Sequence, residues 1–209
     1  MRIAFFITIL IILGAHSSEK VHIPVKNHTQ KNVIEIKLTE IGQFGLLRKP
    51  RPGIPAHFHT GIDIMRPTDN YIDEPIFPIA RGKVISKRHD GPYANLIIEH
   101  DYLGIKFWSL YEHISGIIVN LNDDVFPNQP IAHFMNKSEL DRYGWQFDHF
   151  HLEILKVQPM KLEPNEEHPA LLYKAYSLVC YTEDDLNNHY YNPIIFLQSF
   201  PDILKDEKE

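Results

Sequence analysis

Two histidines one residue apart, His149 and His151, lie in the stretch Asp148-His149-Phe150-His151-Leu152-Glu153-Ile154. Alternating character, aromatic and branched residues, and no internal Gly or Pro predict a β-strand. Residues two apart in a strand share a face. The two imidazoles therefore project together, roughly 7 Å apart along the backbone, while Phe150 and Leu152 turn toward a core. Such a pair can hold a metal jointly, or one ring can hold it while the other handles a proton; the same pattern is also found on solvated strand faces. A second set, His57-Phe58-His59-Thr60-Gly61-Ile62-Asp63, packs three potential ligands into seven residues. Its β-branched residues and glycine disfavour helix. Extended chain places His57, His59 and Asp63 on one face, and His59 with Asp63 makes a nitrogen–oxygen pair suited to zinc. In Tyr111-Glu112-His113, alternation puts His113 on the face of Tyr111 and Glu112 on the opposite one. As a lone histidine, His113 reads first as a satisfied structural residue.

The rest of the chain must position these groups. Its 209 residues, 44% hydrophobic and 23% charged, suffice for one sizeable core and are too few for two generous domains. The net charge of −6, with no basic stripe, argues against a nucleic-acid partner. Met1-Arg2, an apolar run over 3–13 and small residues to Ser17 read as a secretory signal peptide cleaved after Ser17. That run is too short for an ordinary transmembrane span; an uncleaved anchor is the alternative. The expected location is therefore exported, periplasmic or secreted, with no stable membrane span after cleavage. Cys180 is the only cysteine, which excludes an internal disulfide, and its apolar surroundings predict burial. Thirteen histidines in this length direct attention to a histidine-based site.

Residues 18–48 read as a linker carrying one strand over 33–38, followed by a rigid proline-rich loop over 49–55. Short strands with turns between them are expected at 83–86, 95–99, 105–114, 116–119 and 130–134, giving an all-β core. Ser138-Glu139-Leu140-Asp141 has the form of a helix start. Beyond the histidine strand, 156–191 reads as an insertion with a helical stretch over 169–176 and a further cap at Thr182. It closes at Asn192-Pro193, before an apolar run and a charged end.

The ordered set His59-x-x-x-Asp63, Tyr111-x-His113 and His149-x-His151 resembles the LytM/lysostaphin-type zinc metallopeptidases, which cut peptidoglycan cross-bridges. The resemblance runs from about Arg51 to Ile154, with Ala80-Arg81-Gly82-Lys83-Val84, Asn95, Val119, Asp123, Val125, Gln129 and Ile131 in the family's order. It implies a mainly β fold, a compact antiparallel sheet core with an open groove, with short helices added by the C-terminal insertion. It implies one zinc ion per chain held by His59, Asp63 and His151, and catalytic roles for His113 and His149. No H-E-x-x-H motif supplies a helix-borne glutamate as base, so one of the two histidines must take the proton near neutral pH and the other can support the oxyanion. Domains are expected at 1–17 (signal), 18–48, 49–155 (peptidase core), 156–191 (insertion) and 192–209. Asn95, Tyr111, Trp145 and His57 are expected along the groove, His57 as a wall or supporting residue.

Several positions depart from the family pattern. Asn122 and Asn128 stand where glycine is usual, and asparagine is the next most tolerant of left-handed backbone. Ala132 and Asn136 also replace usual glycines. Asp148 replaces a usual proline, and a bulkier loop, 141–147, precedes His149. The expected activity is zinc-dependent hydrolysis of amide bonds in peptidoglycan peptides. The alternatives are a non-catalytic member that regulates other wall hydrolases, and a cupin-like metal barrel built on His57-Phe58-His59. The latter leaves Asp63 without a role.

Overall fold

The computed structural model describes residues 21–25, 36–163, 165–175 and 178–200. The expected signal peptide, residues 33–35 of the first expected strand and the charged end lie outside them. Among the described residues the elements run β1 (Leu47–Arg48), β2 (His57–Phe58), β3 (Ile62–Met65), β4 (Pro75–Ile76), β5 (Gly82–Arg88), β6 (Asn95–Tyr102), β7 (Ile105–Glu112), β8 (Ile114–Ser115), β9 (Asp124–Val125) and β10 (Ala132–Phe134). Then follow α1 (Lys137–Tyr143), a 3-10 turn (Trp145–Phe147), β11 (His149–Leu155), α2 (Glu183–His189), β12 (Tyr190–Tyr191) and α3 (Pro193–Ser199). The protein is mainly β, as expected.

The central sheet has seven strands in the order β12-β11-β7-β6-β5-β9, with β3 pairing the first half of β11. Its pairings are antiparallel. One face is apolar: Val84, Leu96, Ile98, Tyr111, Phe150, Leu152 and Ile154 are fully buried there, packed with Ile62, Ile64, Phe134 and Phe196. Each such side chain contributes about 1.5–3 kcal/mol by leaving water. The other face carries Asp63, His149, His151 and Glu153. At one end of that second face, Ile97, Trp108, Leu110 and Leu155 form a small cluster beneath Tyr173, Ala175 and Tyr190. The segment after β11 thus covers part of the sheet. It is held by Lys87 N donating to the Ala170 carbonyl (2.8 Å), by Leu172 N and Tyr173 N donating to Ser86 Oγ, and by Phe58 N donating to the Cys180 carbonyl (2.8 Å). Cys180 is buried and unpaired by any disulfide.

Several local expectations are corrected. The strand expected over 105–114 breaks at His113, whose φ of 61° is left-handed, so β7 ends at Glu112 and β8 begins at Ile114. Residues 116–119 form no strand. The stretch 169–175 is not helical: 169–170 make a turn, and 171–175 run beside 160–162, with Leu162 N donating to the Leu172 carbonyl and Lys174 N to the Met160 carbonyl. Helix α1 starts two residues earlier than expected, with Asn136 and Glu139 forming a reciprocal capping box. Thr182 caps α2, and Asn192 caps α3 with Pro193 in its first turn. Asn122 adopts φ 68° as its replacement of glycine anticipates, whereas Asn128 does not take positive φ.

Candidate active site

The sheet brings together three groups that are far apart in sequence. Strand β3 runs antiparallel to β11 with Asp63 directly opposite His151, and His59 enters from the turn between β2 and β3. His59 Nε2 lies 3.0 Å from His151 Nδ1 and 3.1 Å from Asp63 Oδ1, and His151 Nδ1 lies 2.9 Å from the same oxygen. One ligand atom from each residue falls within 4.8 Å of the others. All three residues are buried. Gly61 permits the approach: a Cβ there would overlap the Leu152 carbonyl oxygen and come 2.8 Å from the His151 ring.

The surroundings fix which atoms face inward. His59 Nδ1 donates to the Gln43 carbonyl at 2.9 Å, leaving the Nε2 lone pair for the cluster. His151 Nε2 donates to Glu153 Oε1 at 3.1 Å, and Thr60 Oγ1 donates to the same oxygen. Glu153 therefore turns Nδ1 of His151 toward the cluster, the kind of outer support that orients metal-bound imidazoles. Arg48 Nη2 pairs with Asp63 Oδ2 at 2.7 Å, so Oδ1 alone points inward. Burial opposes charge on Asp63, but hydrogen bonds from His151 and His59 hold its carboxyl well below the usual range. Burial also opposes protonation of His151, yet bonds to Asp63 and Glu153 raise it well above an ordinary histidine. His59 is lowered by burial. The three ligand atoms thus converge where a cation would sit. Two imidazole nitrogens and one carboxylate oxygen suit zinc, with a fourth position left for water or substrate.

Beside the cluster stand two more histidines. His149 shares the His151 face, with Nε2 3.9 Å from Asp63 Oδ1. The His113 ring meets it edge-on at 5.2 Å between centroids. This corrects the alternation reading: the left-handed backbone at His113 swings its ring to the groove side, at a cost on the order of 1–2 kcal/mol. Glu112, expected opposite His113, is on that same side, paired across strands with His151. His113 Nδ1 donates to the Pro92 carbonyl at 2.6 Å, which leaves Nε2 as the acceptor. Burial pushes His113 down to about 4, aided by neighbouring histidine charge, and burial lowers His149 too. Both rings are neutral at pH 7 and able to accept a proton.

Of the expected groove residues, Asn95 lies buried on the sheet's polar face. Tyr111 does not line a groove: it is fully buried on the apolar face, its hydroxyl oxygen accepting from Ile79 N at 2.9 Å and its ring stacking on Phe150. His57 is buried outside the cluster, with Nδ1 donating to the Pro55 carbonyl. Trp145 is exposed, donates to Asp141 and packs on Tyr71. In its loop it is Phe147 that meets His113, at 4.9 Å. Asp148 accepts from buried Arg66 at 3.2 Å, and this tie anchors the residue before His149. Sequence reading missed Glu153, Arg48 and Phe147. Alternation along β11 could have shown Glu153 on the His151 face; Arg48 comes from a separate hairpin and left no signal.

A His–Asp–His donor set on one face of an antiparallel sheet, flanked by two neutral histidines, defines a metallopeptidase-like site. The chain belongs to peptidase family M23, whose sequence model matches residues 57–164, just over half of its length. No curated protein matches the chain in sequence. Among solved structures it is similar to the antimicrobial peptidase lysostaphin from Staphylococcus simulans, with 17% identity over 80% of this chain and 52% of that one, at a TM-score of 0.47. It is similar to a zinc-containing peptidase from Vibrio cholerae, with 24% identity over 65% of this chain and 37% of that one (TM-score 0.43). A chain of the SpoIIIAH–SpoIIQ complex shows 19% identity over 66% of this chain and 92% of its own length (TM-score 0.45). The chain thus spans about half of lysostaphin and less of the Vibrio enzyme. No helix among the described residues is long and apolar enough to cross a membrane.

Proposed function

We propose that the protein is an exported zinc-dependent endopeptidase that hydrolyses amide bonds in peptidoglycan peptide cross-links. The carrying observation is the neutral pair His113 and His149 set against the His59–Asp63–His151 cluster. His59, Asp63 and His151 would hold one zinc ion, which supplies Lewis acidity, polarising a carbonyl and acidifying water. The chain's own residues do the rest. Glu153 and Arg48 lock His151 and Asp63 in place. One of the His113/His149 pair takes the proton of the attacking water and passes it to the leaving amine. The other, placed at the same mouth, donates a hydrogen bond to the developing oxyanion. The residues after β11 wall off one end of the face, so the peptide must lie across the His149 end.

The test is incubation of the zinc-loaded full-length protein with intact cross-linked sacculi, with products read by mass spectrometry. Loss of dimeric cross-linked peptides, abolished by chelation, is expected. His149→Ala should lower the rate by about 10²–10⁴-fold while zinc stays bound. Stoichiometric zinc with unchanged sacculi would overturn the reading and favour a non-catalytic wall-binding role.

A further inference from the structure

Cross-strand register on the polar face aligns five side chains at one level: Arg88 on β5, Asn95 on β6, Glu112 on β7, His151 on β11 and Asp63 on β3. Adjacent members of such a row stand about 4.5–5.5 Å apart. At the metal end, His59, Asp63 and His151 each have hydrogen-bond partners, and among the described residues the Arg48 Nε beside them is left without one. At the other end the unpartnered atoms are acceptors. Asn95 Oδ1 and Glu112 Oε2 are buried and have no hydrogen-bond partner among the described residues. Asn95 is 4% exposed and Glu112 6%. The Asn95 amide nitrogen is already used, donating to the Tyr93 carbonyl at 3.0 Å, which fixes the oxygen as the idle atom. Leaving a buried acceptor idle costs about 1–3 kcal/mol, more for a charged one. Two on paired strands, next to the candidate metal cluster, leave acceptors that a ligand could satisfy.

Both idle atoms are acceptors, so the occupant must bring N–H or O–H donors. One is an oxygen of the Glu112 carboxyl, which burial pushes up to about 7; a cationic donor favours its charged form and answers it best. Arg88 stands on the same row and its charge favours the Glu112 carboxylate, but no hydrogen bond joins the two among the described residues: its Nε lacks a hydrogen-bond partner and lies 3.7 Å from Asp90 Oδ1. Because both acceptors sit below the surface, the donor must be a small head on a slim stem. A primary ammonium, with three N–H groups, meets each requirement.

We propose that Asn95 and Glu112 form a subsite for a primary ammonium group carried by the substrate, one strand away from the metal cluster. The inference rests on the peptidase reading of this site and names what its substrate must carry. The ammonium belongs to a side chain beside the scissile amide or to a free peptide N-terminus, and the test separates the two.

The zinc-loaded full-length protein is titrated calorimetrically with two pairs of probes. One pair is Nα-acetyl-lysyl-D-alanyl-D-alanine and its Nε-acetylated form. The other is pentaglycine with a free or an acetylated N-terminus. At least one free-amine probe should bind about tenfold or more tightly than its acetylated partner. In Glu112→Gln, which keeps shape and removes charge, that ratio should fall below about threefold with zinc still bound. Which pair discriminates identifies the source of the ammonium. Equal binding within both pairs, no binding of any probe, or a preference that survives in Glu112→Gln overturns the subsite. Mass spectrometry of the sacculi treated in parallel keeps the two proposals apart. Amine selectivity without cleavage sinks only the peptidase reading, and cleavage without selectivity sinks only the subsite.

Discussion

The two faces of the central sheet are built from the same strands and bury polar groups in opposite ways. On the apolar face the buried polar pair is His100 with Ser109. His100 Nδ1 donates to the Arg81 carbonyl at 2.8 Å, its Nε2 meets Ser109 Oγ at 2.7 Å, and the ring stacks on Phe107. Both ring nitrogens are used, and the group is structural. On the polar face, Asn95 and Glu112 are about as well buried yet keep idle acceptors, and the neighbouring cluster gathers two histidines and an aspartate within hydrogen-bond distance. Burial alone therefore does not tell structure from function here. For these two pairs completeness of hydrogen bonding does: His100 and Ser109, bonded internally, serve the fold, and Asn95 and Glu112, with acceptors idle, are open to a ligand.

The largest expected effect apart from catalysis lies on the apolar face. Phe150→Ala should cost about 3–5 kcal/mol in denaturant unfolding, because Phe150 is fully buried against Tyr111 and Phe134. A loss under about 1 kcal/mol would break the assignment of that face as the core. Next comes acid sensitivity from His100. Burial pushes it down to about 4 in the folded protein against 6.5 unfolded. Above pH 6.5 both states are neutral and the group contributes no pH dependence. Below 6.5 the unfolded chain takes up the proton first, so stability is lost as pH falls toward 4, by roughly 3 kcal/mol in all. Urea unfolding at several pH values should show His100→Gln losing that much less than wild type.

On the polar face, Glu153→Ala should weaken zinc affinity by about 10–100-fold, with partial recovery in Glu153→Gln; competition with a chromogenic chelator measures it. Unchanged affinity would mean that His151 needs no outer support. The smallest effect sharpens the contrast most. Glu112→Met removes an idle buried carboxylate and should stabilise the fold by about 1 kcal/mol. His100→Met strands Ser109 and the Arg81 carbonyl and should destabilise it by about 1–3 kcal/mol. Equal signs would erase the distinction between the faces.

Much of this was legible in the sequence because strands encode their faces with period two. That rule placed His149 with His151 and set Phe150 and Leu152 in the core; it also grouped His57, His59 and Asp63, of which His57 lies outside the cluster and His59 enters from between strands. The family resemblance then brought those two sets together, a long-range fact that no local pattern carries. The rule failed where backbone departs from strand. His113 has left-handed φ, so counting by twos sent it and Tyr111 to the groove together, whereas Tyr111 belongs to the core. The helical expectation for 169–176 failed because a proline near a helix start is also compatible with extended chain, and Ser86 with residues 160–162 supplied the backbone partners. Arg48 reaches Asp63 only through the β1–β2 hairpin, and no spacing in the sequence announces that.

The most direct measurement is an anomalous difference map at the zinc edge from crystals of the zinc-loaded protein. The account predicts a single strong peak coordinated by His59, Asp63 and His151, absent in Asp63→Ala. A peak on other residues, or none while the three side chains keep their direct contacts, would contradict it.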